Sequence, residues 1–576
     1  MSRLAQGPTV AKPTKSYFSW LIVLAVVYWA SVGFAETATN VFESSATVIP
    51  ETRLDKVVFA KLTQLDIHPV LCSDAVFVRR VYLDVAGTLP TANEARKFIE
   101  EPDTAKKRSR LIERLLESDR FADYWAMKWG DVLRIKAEFP INLWPNAAQA
   151  YHRWVRASIA QNKPYDRFAR EILTASGSNF RVGQVNFYRA VQNRTPEGIA
   201  GAVALTFMGA RAESWPTNRL AGMTAFFSQI GYKPTSEWKE EHVFWNPLGD
   251  SAVAANSAPG RAAVTEIGHS SNSVCQPWVK SAASGAPQAI FPDGTAIKLP
   301  PERDPREVFA DWLIDSKNPW FTRSIANRVW AWLLGRGIIH EPDDIRDDNP
   351  PSNPALLAYL EKELVAAHYD LKNLYRIILN SRTYQLSSVP RFTTPEAEAQ
   401  FASYSLRRLD AEVLIDAINQ ITGSSDLYTS PIPEPFTYIP EDKPAVAVAD
   451  GSITSPFLAL FGRSARATGM ENERNNKPVA AQWLHLLNSS HIQRKLEQGP
   501  KLKAIFDSGR APAAIVEELY LTILSRFPTP EEVKKAEDYG TPATANKVGK
   551  TSVKRREDWV DISWSLINSA EFLFRH

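Results

Sequence analysis

Between Asn318 and Ser388 the chain alternates helix, charged loop and helix, and this stretch limits the fold more than any other. An aromatic segment carrying Asn327-Arg328-Val329-Trp330 has helical spacing and runs into Gly335-Arg336-Gly337. An acidic loop follows, Asp343-Asp344-Ile345-Arg346-Asp347-Asp348, then Asn349-Pro350-Pro351-Ser352 and a second amphipathic helix. Apolar residues recurring every three or four positions make a stripe that only a partner helix or a shared core can bury.

The same periodicity recurs along most of the chain. Helical patterning starts at Leu54, and the segment FVRRVYLDVAG ends at Gly87 and the turn Leu89-Pro90-Thr91. Thr91 and Glu94 have the spacing of a capping box. Leu111, Ile112, Leu115 and Leu116 share one helical face, and Pro164 and Pro196 stand at or just before helix starts. Residues 231–303 lose the period and are rich in Pro, Gly, Ser and Ala; HVFWN and AIFPDGTAIKLP each read as a short hairpin, the second turning at Asp293-Gly294. A Pro-rich stretch at 423–456 and a polar one at 538–556 interrupt the later helices. The expectation is an all-α protein with two helical domains, 51–230 and 304–576, joined by an irregular connection at 231–303 with minor β-hairpins.

At 576 residues, 44% hydrophobic and 23% charged, the chain can build sizeable cores and is not disordered in bulk. A net charge of +3 leaves no footprint for nucleic acid. Lys12 and Lys15 precede an apolar run from Tyr17 to Val32, followed by Gly33-Phe34-Ala35. This order fits an export signal cleaved after Ala35, with residues 36–50 as a flexible lead, and so a periplasmic or secreted protein. If the segment stays uncleaved it becomes a membrane anchor. The two cysteines, Cys72 and Cys275, either pair across a long loop or remain separate, and cannot supply a zinc site of the usual three- or four-cysteine kind.

The sequence contains no G-x-S-x-G elbow, phosphate-binding loop, dinucleotide-binding glycine run or H-E-x-x-H pair. Three polar constellations remain. Arg80 and Asp84, with Arg79 beside them, stand at i and i+4 and can pair on one helix face. Trp125, Trp129, Trp144 and Trp154, near Asp131, either line a core or offer rings for sugars to stack on. Arg336, Asp343, Asp344, Arg346, Asp347, Asp348 and Asn349 make a carboxylate-dense loop that arginines or a cation must neutralise. Oxygen ligands of this kind suit calcium or magnesium, although the spacing is not that of an EF-hand. Glu471, Glu473 and Arg474 form a second charged knot, expected to lie beside the loop in one cleft.

The Asn318–Ser388 stretch closely resembles the C-terminal domain of an exported bacterial family, the planctomycete-cytochrome-associated proteins of unknown function. The run from Val76 to Thr91 resembles that family's N-terminal partner domain, so the resemblance covers most of residues 50–576. Many relatives carry a haem-attaching C-x-x-C-H after the helix that ends here at Phe207-Met208-Gly209; in this chain Ser214 stands where the first cysteine is expected. A C-E-C-E-R run of the family resembles Met470-Glu471-Asn472-Glu473-Arg474, acids and arginine kept, both cysteines gone. The resemblance therefore implies a variant without covalent haem or another cofactor. The functional expectation is a haem-free binding or assembly component of the cell envelope, partnered by an envelope protein or a polysaccharide. The alternatives are an enzyme on polysaccharide using Asp343 and Asp344, or Glu471 and Glu473, as acid and base, and a redox partner of c-type cytochromes. The candidate polar site is Arg336, Asp343, Asp344, Arg346, Asn349, Glu471, Glu473 and Arg474.

Overall fold

Helices carry the architecture of the computed structural model, which describes residues 40–103, 106–248, 288–540 and 554–576. The export signal expected at 1–35 and Cys275 lie outside these residues; Cys72 is buried. Strands among the described residues form only small antiparallel sheets of two or three. The mainly helical class with minor hairpins is thus the observed one, and the 288–290/296–298 hairpin turns through Asp293-Gly294.

Local chemistry explains many helix starts. Thr91 accepts the N–H of Glu94 while the Glu94 carboxylate takes the N–H of Thr91, and Thr52–Asp55 and Thr529–Glu532 repeat the arrangement. Leu111, Ile112, Leu115 and Leu116 are all buried, as their shared face requires.

The i, i+4 pairing of Arg80 with Asp84 does not form. The helix Asp74–Val81 widens into a π-turn at Tyr82–Ala86, ended by Gly87 in the left-handed region at φ 60°. A Cβ at Gly87 would meet the Tyr124 ring at 2.4 Å, so no side chain fits there. The wider turn changes the angular offset between the two side chains. Arg80 instead donates to the carbonyls of Tyr384, Leu386 and His576. Asp84 accepts from Arg575 at 2.9 Å and from the hydroxyls of Tyr384 at 2.9 Å and Tyr404 at 2.7 Å. Arg79 likewise reaches the carbonyls of Ile523 and Phe572. Two adjacent arginines of the N-terminal half are therefore buried against the C-terminal half.

A second π-turn, Ala204–Met208, ends at left-handed Gly209. The reverse bridge starts here, because Arg328 of the helix Phe321–Leu334 donates to the carbonyls of Leu205 and Thr206. Trp125 and Trp129 pack with Trp332 at centroid distances of 5.3 and 5.8 Å, and Trp125 lies 4.5 Å from Tyr375. They are core residues, each 2% exposed, whereas Trp144 and Trp154 are half-buried at the surface. Phe42–His576 is one compact unit, held by these cross-connections.

Candidate functional site

Five stretches distant in sequence meet at an open cleft of about 220 Å³. The helix Asp119–Val132 brings Lys128, with Asp131 one turn on. The helix Phe321–Leu334 brings Trp332 and stops at Gly335, whose φ of 85° turns the chain where a Cβ would strike Arg407 at 2.6 Å. The short strand Arg407–Arg408 pairs with Phe574–Arg575, which sets Arg407, Arg408 and Arg575 together. The segment 471–476 closes the rim with Glu471, Arg474 and Asn476.

Asp410 is the hub. Its Oδ2 takes Arg575 Nη2 at 2.8 Å and Lys128 Nζ at 3.0 Å, and its Oδ1 takes Asn476 Nδ2 at 2.8 Å. Burial alone would raise its pKa, but Lys128, Arg575 and Arg474 hold it well below the usual carboxylate range. Arg474 lies between Asp131, at 2.7 Å, and Glu412; burial would raise both carboxyls, but Arg474, with Arg466 for Asp131 and Arg463 for Glu412, holds them below their ordinary values. Arg466, fully buried, completes the Asp131 contact at 2.9 Å.

Two groups break this pattern of matched pairs. Burial and the nearby Asp343 raise the Glu471 carboxyl above its ordinary pKa despite Lys128, and Trp332 Nε1 donates to its Oε2 at 2.9 Å. Arg408, 4% exposed, donates to the carbonyls of Phe461, Asn475 and Asn476, but its Nη1 meets no acceptor among the described residues. Burial lowers its pKa, as expected of a cation with no bonded carboxylate.

The residues singled out in the sequence do not all reach the cleft. Arg336, Glu471 and Arg474 line the cleft. Asp343 lies directly behind it: its Oδ1 binds Arg328 at 2.7 Å and its Oδ2 accepts the Glu471 N–H at 2.6 Å. Glu473 accepts the N–H groups of Ala467 and Thr468 and does not line the cleft. Asp344, Arg346 and Asn349 belong to the outer loop. Arg346 pairs with Asp344 at 3.2 Å and Asp348 at 3.4 Å, and Asn349 binds the carbonyls of His340 and Asp344. The loop is fixed to the N-terminal half by the Ile345 N–H, 2.9 Å from the carbonyl of Gly209. Sequence reading missed Lys128, Arg407, Arg408, Asp410, Glu412 and Arg575. Its available signal was Arg407-Arg408-Leu409-Asp410-Ala411-Glu412, four charges beside the apolar run Val413-Leu414-Ile415, of which Asp410 and Glu412 are buried with bonded cations.

Covalent haem needs two thiols and a histidine. The stretch Ala210-Arg211-Ala212-Glu213-Ser214-Trp215 directly after Gly209 has neither: Arg211 pairs with Glu341 at 2.7 Å and Ser214 Oγ donates to the Arg211 carbonyl. The residues present do not fit that group. Among the described residues no cluster of three His, Cys, Asp or Glu side chains is placed to hold a metal, and no helix is long and apolar enough to cross a membrane.

Residues 53–213 match the family model PSCyt2, described as a protein of unknown function (DUF1549), and residues 305–539 match PSD1, a protein of unknown function (DUF1553). The chain belongs to the family that joins these two domains in this order. No curated protein and no solved structure matches it. The cleft lies on the seam between the two matched segments, with Lys128 from the first and Trp332, Arg408 and Glu471 from the second.

Proposed function

We propose that this protein is an exported, haem-free binding component whose cleft takes the anionic group of an organic ligand, a carboxylate, phosphate or sulfate. The observation that carries this reading is Arg408 Nη1, buried in the cleft wall with no acceptor among the described residues. A buried donor without a partner costs about 1–3 kcal/mol, and a turn of the guanidinium that brings Nη1 to the cleft would let a ligand oxygen recover it. The surroundings favour a negative guest. Lys128, Arg336, Arg407, Arg408, Arg474 and Arg575 line the cleft against Glu341, Asp410 and Glu471, and burial raises the Glu471 carboxyl above its ordinary pKa. Export rests on the Lys12–Ala35 pattern, and the haem-free character on the missing C-x-x-C-H run.

Calorimetric titration with sulfate, phosphate and glucuronate tests the reading. One of the three should bind saturably, and Arg408→Gln should weaken it at least tenfold while the protein still melts cooperatively. Absence of saturable binding by all three at millimolar concentration removes the proposal.

A catalytic reading has one observation in its favour. Glu471, raised in pKa and oriented by Trp332, has the character of a proton donor facing a cationic cleft. The carboxylate pairs suggested by sequence, Asp343 with Asp344 and Glu471 with Glu473, do not both face the cleft in either case. A reaction here would run through Glu471 and the cations, and loss of turnover in Glu471→Gln with ligand affinity retained is its test.

A further inference from the structure

A second opening lies away from the charged cleft. The helix Pro145–Ala160 places Asn146, Gln149 and Arg153 on one exposed face, at i, i+3 and i+7. They line an open groove of about 470 Å³ whose other wall holds Arg181 and Glu237. Aromatic rings stand beside it. Trp144, next to the start of that helix, is half-buried, and Trp238, next to Glu237, is 68% exposed. The Lys239 ammonium sits 5.2 Å from the Trp238 ring centroid and 5.8 Å from that of Trp144, so it spaces the two rings. Both Trp144 and Lys239 hold left-handed backbone, at φ 74° and φ 64°, a strained conformation that persists only where surrounding structure fixes it. Phe436, 47% exposed, packs edge-on against Trp144 at 5.4 Å.

From this geometry we infer a binding groove for a glycan bearing acidic groups. Sugar rings offer flat C–H faces to indoles and a fringe of hydroxyls that both donate and accept. Asn146 and Gln149 match those hydroxyls, because each amide also does both. Large exposed indoles are costly to leave in water and usually mark a contact surface. The acidic character follows from the cations. Among the described residues Arg153 has no carboxylate within ion-pair distance, and Arg181, with its side chain 78% exposed, meets only Glu240 at 3.8 Å. Single-stranded nucleic acid also uses rings and cations, but a net charge of +3 over the whole chain gives no electrostatic footprint for it, and the amides have no base edge to read on a stacked strand.

Native gel retardation of the full chain tests the inference, with polygalacturonate, neutral dextran or poly(dT) as the probe in the gel. Polygalacturonate should retard the protein, the effect should weaken as salt rises, and neutral dextran and poly(dT) should not act. W238A should reduce retardation at least tenfold in apparent affinity, and R153Q with R181Q should abolish it, both with unchanged melting and unchanged small-anion binding at the charged cleft. Those controls separate failure of the groove from failure of the cleft. Wild-type mobility in polygalacturonate, equal retardation by dextran or poly(dT), or wild-type behaviour of both variants would overturn the inference.

Discussion

The backbone N–H of Glu471 stands 2.6 Å from Oδ2 of Asp343, whose other oxygen takes Arg328 at 2.7 Å. One carboxylate therefore joins the acidic loop, the aromatic helix and the Glu471 segment. Arg328 is fully buried and Asp343 2% exposed. Asp343→Asn should leave a buried guanidinium without its counter-charge and cost about 3–5 kcal/mol in denaturant unfolding. Asp344→Asn should cost under about 1 kcal/mol, because the Arg346 side chain it pairs with is 45% exposed. Equal losses in the two variants would contradict this division of the loop.

Arg80→Met should destabilise by about 3 kcal/mol or more. Arg80 is fully buried and serves three carbonyls, those of Tyr384, Leu386 and His576. Methionine fills much of the volume but leaves the carbonyls without that donor, each worth about 1 kcal/mol or more. Chemical denaturation followed by tryptophan fluorescence measures the loss; a change below about 1 kcal/mol would mean that water replaces the guanidinium.

Elements set by local chemistry were legible in the sequence: the Thr91–Glu94 capping box, the Leu111–Leu116 face, the Asp293-Gly294 turn. The π-turn at Tyr82–Ala86 was not, because its cause is tertiary. Gly87 must pass the Tyr124 ring and Asp84 must reach Arg575. The site was half legible for the same reason. Asp343, Glu471 and Arg474 lie in segments unusual in their own composition, whereas Arg466 meets Asp131 across a separation of 335 residues. No local pattern announces such a partner. The indoles show both outcomes: Trp125 and Trp129, spaced for a helix face, went to the core, while Trp144 went to a surface that periodicity alone does not identify.

Acid should destabilise the fold through His152. The ring is 6% exposed, and its Nε2 has no hydrogen-bond partner among the described residues. Burial, helped by Arg466, Lys443 and Arg156, pushes its pKa down to about 3 from 6.5. A depressed folded pKa means that the unfolded chain binds the extra proton. The contribution is therefore fully present above pH 6.5 and is lost as pH falls toward about 3. Each such proton gives a slope of about 1.4 kcal/mol per pH unit. His152→Leu should reduce the slope of stability between pH 6 and 4 by about that amount, measured by urea unfolding at fixed pH values; an unchanged slope would place the titration elsewhere.

Ligand binding at the cleft should have the opposite relation to acid, with Glu471 setting it. Its folded pKa is raised, chiefly by burial and then by Asp343, so the folded state keeps the carboxyl proton above the ordinary value of 4.5. The stability this proton confers is fully present below pH 4.5 and is lost as pH rises through the raised folded value. The same proton governs the guest. While Glu471 is neutral the cleft presents its cations with one carboxylate fewer, and once it ionises a bound anion faces a like charge. Affinity for whichever of sulfate, phosphate or glucuronate binds should fall as pH climbs above 4.5, after correction for the probe's own ionisation. Glu471→Gln keeps an oxygen for Trp332 Nε1 and removes the charge, so its affinity should be flat over the same range and equal to wild type at the acid end. Lys128 and Arg474 remain paired to Asp410, Asp131 and Glu412 in both proteins, so their contribution cancels in the comparison. Calorimetry in matched buffers reads the difference directly: parallel pH curves for wild type and Glu471→Gln would show that some other group carries the proton.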